Sequence, residues 1–155
     1  MPDKKLKPYT ATQEKIASTL IKPMSVLNTW VYRISGGRIG GKFLRGAPVL
    51  LLTTIGRKSG KPRTAPLLYL RDGEKIVIVG SKGGMSQHPL WYRNVEANPD
   101  VDVEIGSERR RMLARRATDE EKAAVWPKLV AMYRDFEDYQ ARTERNIPVI
   151  ILSPR

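Results

Sequence analysis

The sequence has no cysteine and a single histidine, His88, among its 155 residues. The first absence excludes disulfides, thiolate metal sites and a cysteine nucleophile. The second argues against a histidine-built metal site or a Ser-His-Asp triad, and no metal is expected. Long apolar runs are missing too. None reaches the roughly 18 residues needed to cross a bilayer, and the main N-terminal helical candidate carries Lys15, Lys22 and Arg33. With neither a cysteine framework nor a signal-like segment, the expected location is the cytoplasm. There is no internal repeat and no long linker, and the length suits one domain.

Positive charge is what the chain has in excess: 28 basic against 16 acidic side chains, a formal net charge of +12. Such a balance attracts nucleic acid, phosphorylated cofactors or an anionic membrane surface, and composition does not choose among them. At 41% hydrophobic residues the chain can bury a core.

Local patterning predicts a basic, flexible arm over residues 1–12 (Lys4, Lys5, Lys7) and a single domain over 13–155. From 13 to about 35, Ile16, Leu20, Met24, Leu27, Val31 and Ile34 form one helical stripe. Pro23 inside it predicts a kink or two helical pieces, and glycine-rich 36–46 reads as a loop. Strands are expected at 48–55, 63–70, 75–80 and 101–105, with a less secure one at 108–117 and a last one at 147–152. Asp72-Gly73 signals a hairpin. Pro89 opens a short helix that Asn98-Pro99 closes. Thr118 and Glu121 make a capping box for a helix from Asp119 past Met132, with a break near Arg134. Strands joined by short turns and flanked by helices predict an α+β protein whose mainly antiparallel sheet curls into a barrel.

Several segments are candidates for chemistry. Gly36 to Lys42 imitates a phosphate-binding P-loop, but Phe43 stands where a hydroxyl is needed and a helix precedes it, so a triphosphatase is rejected. The turn from Gly56 to Arg63 combines two glycines with Arg57, Lys58, Ser59 and Arg63. Exposed amides, a hydroxyl and guanidinium groups suit a phosphate, although a solvated basic hairpin is the simpler account on chemistry alone. Ser81-Lys82-Gly83-Gly84 precedes the helix of Trp91 and Tyr92, where an anion would find free N–H groups. Trp91 beside Leu90 reads first as core. Tyr133, Phe136 and Tyr139, spaced by three, share one face of a continuous helix, and ordinary packing explains them. His88 reads as a surface residue without a catalytic role. Arg109, Arg110, Arg111, Arg115 and Arg116 read as a charge-guarded edge strand, and no nucleic-acid partner is expected.

Together these segments resemble the deazaflavin (F420)-dependent nitroreductase and quinone reductase family. The match runs through Leu51-Leu52-Thr53-Thr54, Gly56-Arg57-Lys58-Ser59-Gly60, Pro62-Arg63, Leu70-Arg71-Asp72-Gly73 and Ser81-Lys82-Gly83-Gly84. It continues through Pro89-Leu90-Trp91-Tyr92, Asn98-Pro99, residues 117–121, Trp126-Pro127, Met132-Tyr133, Asp138-Tyr139-Gln140 and Ile147-Pro148. Asn28-Thr29-Trp30 with Tyr32-Arg33 fits the N-terminal helix. Each motif is short; their order and spacing make the combination specific.

The resemblance implies a split β-barrel that holds coenzyme F420 in a groove, with FMN as the alternative cofactor. Arg57, Lys58, Ser59 and Arg63 would grip the phosphate. Thr64, Ala65, Pro66, Leu67 and Leu68 would run alongside the cofactor, as would Val79, Gly80, Ser81, Lys82, Leu90, Trp91, Tyr92, Arg93 and Asn94. Tyr133, Phe136 and Tyr139 would line the substrate side, and Ser81, Tyr133 or Tyr139 would steer or protonate the acceptor. The implied activity is F420H2-dependent reduction of a quinone or nitro compound by hydride transfer. An FMN-dependent split-barrel oxidoreductase and a non-catalytic F420-storage protein are the alternatives. A monomer is slightly favoured, and the basic arm with the amphipathic helix fits either peripheral attachment at the inner face of a membrane or simple packing of the helix on the barrel. Two positions depart from the nitroreductase branch: Phe136 stands for a tyrosine and Ala65 for an asparagine. The lost phenol removes a hydrogen-bond donor, which weakens the expectation of nitroimidazole reduction.

Overall fold

The computed structural model describes residues 6–42 and 46–155. Among these, six strands pair antiparallel into a closed barrel. They are β1 (Val49–Ile55), β2 (Pro62–Asp72), β3 (Lys75–Val79), β4 (Asp100–Ile105), β5 (Glu108–Arg116) and β6 (Val149–Pro154). The order around the barrel is β1-β2-β3-β6-β5-β4. Four helices accompany them: α1 (Ala11–Ser35), α2 (Leu90–Ala97), α3 (Asp119–Met132) and α4 (Asp135–Arg142).

Alternation along each strand decides what goes inside. Leu50, Leu52, Ile76, Ile78, Val101, Val103, Met112, Ala114, Ile150 and Leu152 fill the barrel, and Trp91, Tyr92 and Val95 of α2 pack into the same core. The opposite faces of β3 and β6, through Val77, Val79, Val149 and Ile151, meet Leu129, Tyr133 and Phe136 from the α3–α4 segment. Tyr32 of α1 forms a smaller third cluster with Val49 and Leu51.

Several sequence expectations change here. The expected edge strand β5 pairs with β4 on one side and β6 on the other. Closure leaves no free edge, and its arginines point outward to acids instead: Arg109 and Arg111 to Asp102, Arg110 to Glu108, Arg115 to Glu121. Lys4 and Lys5 of the expected arm, like Phe43, lie outside the described residues. Residues beyond them are tied to α4, because Leu6 N–H donates to the Ala141 carbonyl and Arg142 stacks over Tyr9.

The helix also begins earlier than expected. Thr10 caps it and Gln13 closes the capping box. It then runs as one element through Pro23. Its apolar stripe faces away from the barrel: Ile16, Leu20, Met24, Leu27 and Ile34 are all more than half exposed. The side turned inward carries Glu14, Ser18, Ser25, Thr29 and Tyr32. The aromatic triplet does not lie on one continuous helix, since α3 ends with Tyr133 as its C-cap before α4 starts at Asp135. The break falls at Arg134, as the sequence predicts.

The capping box of α3 is present, with Thr118 and Glu121 bonded reciprocally. Removing the cap with Thr118→Ala is expected to cost about 1 kcal/mol in urea melts. Two hydrogen bonds of 2.7 Å from Arg115 hold the Glu121 carboxyl at about 2, below its ordinary 4.5. The folded value is depressed, so the contribution of this pair is complete above pH 4.5 and is lost as the pH falls toward 2. Glu121→Gln should therefore flatten the melting temperature of the protein across that window.

Candidate active site

The β1–β2 connection is the basic turn. Ile55 pairs with Pro62, leaving residues 56–61 to reverse the chain. Gly60 takes a left-handed φ of 71° and its N–H donates to the Gly56 carbonyl at 2.8 Å. A Cβ on Gly56 would lie 2.7 Å from Ser59 Oγ and 3.3 Å from the Lys61 carbonyl, so a larger residue here would have to turn the serine hydroxyl aside. Asn94 of α2, buried, pins the turn from below: Arg57 N–H donates to its Oδ1 at 3.1 Å, and its Nδ2 donates to Thr54 Oγ1 at 3.1 Å. Arg57, Lys58, Lys61 and Arg63 are exposed and enter no ion pair among the described residues. Four of the β5 arginines are paired with acids, whereas these four cations sit together on one short turn.

From this turn β2 runs away as a strand half-covered on both faces from Thr64 to Leu70. Ala65, Leu67 and Tyr69 pack against the barrel interior. On the other face Thr64 bonds Thr53 hydroxyl to hydroxyl at 2.8 Å, and Leu68 packs against the outer clusters. Neither face is closed, so the strand is a floor that a flat ligand can share.

Beyond β3 the backbone takes three successive left-handed residues, Lys82 at φ 45°, Gly83 at 63° and Gly84 at 80°. A Cβ on Gly84 would lie 2.7 Å from the Tyr139 carbonyl, which sets this turn directly against α4. Tyr133 and Tyr139 join their hydroxyls at 3.2 Å, and the Tyr133 and Phe136 rings meet edge to face at 5.1 Å. Burial raises both phenols above their ordinary value, so each stays a neutral proton donor. Tyr133 and Phe136 are core residues at 5% and 4% exposure; Tyr139 is the half-exposed member.

Not every expected residue faces an opening. Trp91, Tyr92 and Asn94 are buried in or beneath the barrel end, whereas Leu90 and Arg93 of the same helix are exposed. Val79 and Gly80 are buried, Gly80 against Pro148. Ser81 is buried and its hydroxyl caps nothing. His88 corrects the surface assignment. It is half-buried, with Nδ1 3.0 Å from Arg145 Nη1 and its ring 4.8 Å from that of Tyr92. Sequence reasoning missed Arg145 altogether, because its partners are carbonyls far away in the chain. It also missed Glu14, whose carboxylate accepts from Ser86 N–H and Oγ, each at 2.7 Å. With Arg33 bonding Glu104 and Thr64 at the other end, α1 spans from the 81–86 loop to β2.

The geometry is a closed antiparallel barrel with an exposed basic turn beside a half-covered strand and a hydrogen-bonded pair of phenols. Comparison with known proteins supplies the class. The model of the F420H2-dependent quinone reductase family matches residues 24–154. Rv3178 of Mycobacterium tuberculosis is 48% identical over 118 residues, covering 76% of this chain and 99% of its own. The solved F420-H2 dependent reductase FDR-A superposes with a TM-score of 0.64 at 42% identity, covering 68% of this chain and 94% of that one. A structure described as a domain-swapped dimer gives 0.66 at 37% identity, covering 83% and 96%. The chain belongs to the F420H2-dependent quinone reductase family; it is an oxidoreductase, and its cofactor is coenzyme F420.

Asn94→Ala would leave the Arg57 amide and the Thr54 hydroxyl without their partner. A loss of about 1–3 kcal/mol in urea denaturation is expected, together with weaker binding at the basic turn.

Proposed function

We propose that this protein passes a hydride from reduced F420 to a quinone, with the cofactor lying along β2 between the basic turn and the 80–84 loop. The unpaired cluster Arg57, Lys58 and Arg63 carries the reading, since F420 brings a phosphodiester and an acidic glutamate tail that need uncompensated cations. The donor set fits: guanidinium and ammonium groups, the Ser59 hydroxyl and a tight turn in which the Ser59 hydroxyl lies close over Gly56. Thr64 to Leu68 would lie beneath the cofactor, Val79 to Lys82 along its edge, and exposed Leu90 and Arg93 at its flank. The deazaflavin, when bound, supplies two electrons as hydride.

What remains for the chain is to orient the acceptor, exclude water and provide protons. Tyr139 is the aromatic an acceptor can touch, and its raised pKa keeps the proton on its oxygen until the acceptor gains charge. Tyr133 holds that hydroxyl in place. Phe136 sits inside the cluster and supplies shape only, which favours a quinone over a nitroimidazole.

The outward stripe of α1 supports a second element of this reading, attachment to an anionic lipid surface where apolar quinones reside. No helix among the described residues is long and apolar enough to cross a membrane. The similar structure described as a domain-swapped dimer makes self-association the competing use of the same face.

Fluorescence titration should show F420 binding in preference to FMN, weakened about tenfold or more by Arg57→Ala and by Lys58→Ala, as expected for losing one charge-assisted contact. Reduced F420 should be reoxidised by a menaquinone analogue only when the protein is present. Tight F420 binding without turnover on quinones, nitroaromatics or enones would mark a storage protein, and preference for FMN would mark the flavin branch. In flotation with anionic vesicles, Leu20→Glu and Leu27→Glu should release the protein. Absence of lipid binding by the unmodified protein, with loss of a dimer in the same two variants, would assign the face to a second copy.

A further inference from the structure

The Arg145 guanidinium spends its donors on one short loop. Nε donates to the Met85 carbonyl at 2.8 Å, Nη1 to the Gly80 carbonyl at 3.1 Å and Nη2 to the Ser81 carbonyl at 2.5 Å. Nη1 also meets His88 Nδ1 at 3.0 Å. A guanidinium only donates, so Nδ1 is the acceptor and the imidazole is neutral with its proton on Nε2.

The peptide plane turns these contacts into a statement about the other side of the loop. No cis bond is present among the described residues, and in a trans peptide the N–H points opposite to the C=O of the preceding residue. With the Gly80 and Ser81 carbonyls drawn to Arg145, the N–H groups of Ser81 and Lys82 point away from it. Neither N–H, nor that of Gly83, donates a hydrogen bond among the described residues. Ser81 is right-handed (φ −74°, ψ −37°) and Lys82 left-handed (φ 45°), the sequence of conformations that makes successive amides converge into an anion-binding nest. A positive φ at a lysine is strained, and the contacts on the carbonyl side are what hold it.

We propose that Arg145 is the positioning residue of the active site: by gripping the Gly80, Ser81 and Met85 carbonyls it aims the Ser81 and Lys82 amides at an acceptor oxygen of the bound deazaflavin ring. This rests on the placement of F420 given above. His88 is the second part of the device. Only its neutral form can accept from Arg145, and protonation would set two cations 3.0 Å apart. The groups around it are Arg145 from the turn before β6, Arg116 of β5, and Arg93 and Glu96 of α2. Burial and these arginines lower its pKa despite Glu96, so the grip is complete at neutral pH and fails on the acid side of the ordinary imidazole range.

The test uses F420 titration and steady-state kinetics on the full chain carrying Arg145→Lys, Arg145→Met or His88→Gln. Arg145→Lys keeps the charge but cannot reach three carbonyls at once. It should weaken F420 about tenfold or more and raise KM for F420H2, while KM for the quinone analogue stays unchanged. Arg145→Met should lose more. The unmodified protein should lose F420 affinity as pH falls through the range where His88 protonates, and His88→Gln, which keeps an acceptor, should remove that acid limb. Equal F420 affinity in both Arg145 variants overturns the proposal. If those variants do not fold, an acid limb that persists in His88→Gln overturns it instead. Failure of the unmodified protein to bind F420 would strike the cofactor placement itself, a result distinct from either.

Discussion

Closure of the barrel by its last strand is the constraint on which the rest depends. β6 sits between β3 and β5, registered from Val79 opposite Val149 to Met112 opposite Pro154. Both of its faces are buried. Ile150 and Leu152 complete the interior, while Val149 and Ile151 carry the surface on which α3 and α4 settle. Fully burying each such side chain contributes roughly 1.5–3 kcal/mol. The same closure delivers the turn at 143–148, and with it Arg145, to the 80–88 loop. Site geometry is therefore a consequence of the last pairing to form in sequence order.

Charge is distributed with a comparable division. On β5 and its neighbours opposite charges face each other across exposed pairs, which contribute little to stability but cancel the local field. On the β1–β2 turn no acid pairs with the cations among the described residues. Part of the net charge of +12 is thus an exposed set, Arg57, Lys58, Lys61 and Arg63, gathered on one tight turn.

Much of this was legible from local chemistry. The apolar run at 49–55, the Asp72-Gly73 reversal, the Thr118–Glu121 box and the break at Arg134 all depend on a few adjacent residues, and all stand. The Thr10–Gln13 box has the same logic and was overlooked, because prolines and lysines around it suggested an arm. What periodicity could not supply was the surroundings. A stripe such as Ile16–Leu20–Met24–Leu27 predicts a helix but not whether a barrel lies against it. β5 reads as an edge until β6 is known to close on it. His88 and Arg145 stand 57 positions apart and carry no shared motif. The family resemblance points to the basic turn and the 79–82 segment, whereas the structure buries Trp91 and Asn94 within the barrel end.

The position of α1 sharpens the functional argument. Its ties to the barrel are Tyr32, whose hydroxyl bonds the Val49 carbonyl and the Gly106 amide, the Arg33–Glu104 pair, and Glu14 on Ser86. The surface pair Arg33–Glu104 contributes little. The helix is fastened through Tyr32 and Thr29 while leaving a row of large apolar side chains in water. Exposed stripes of this extent mark a surface that meets something. Because both ends of α1 are fastened to segments of the candidate site, whatever it meets lies beside that site. An acceptor that partitions into apolar surroundings would arrive by that route, and a water-soluble one would have no use for it.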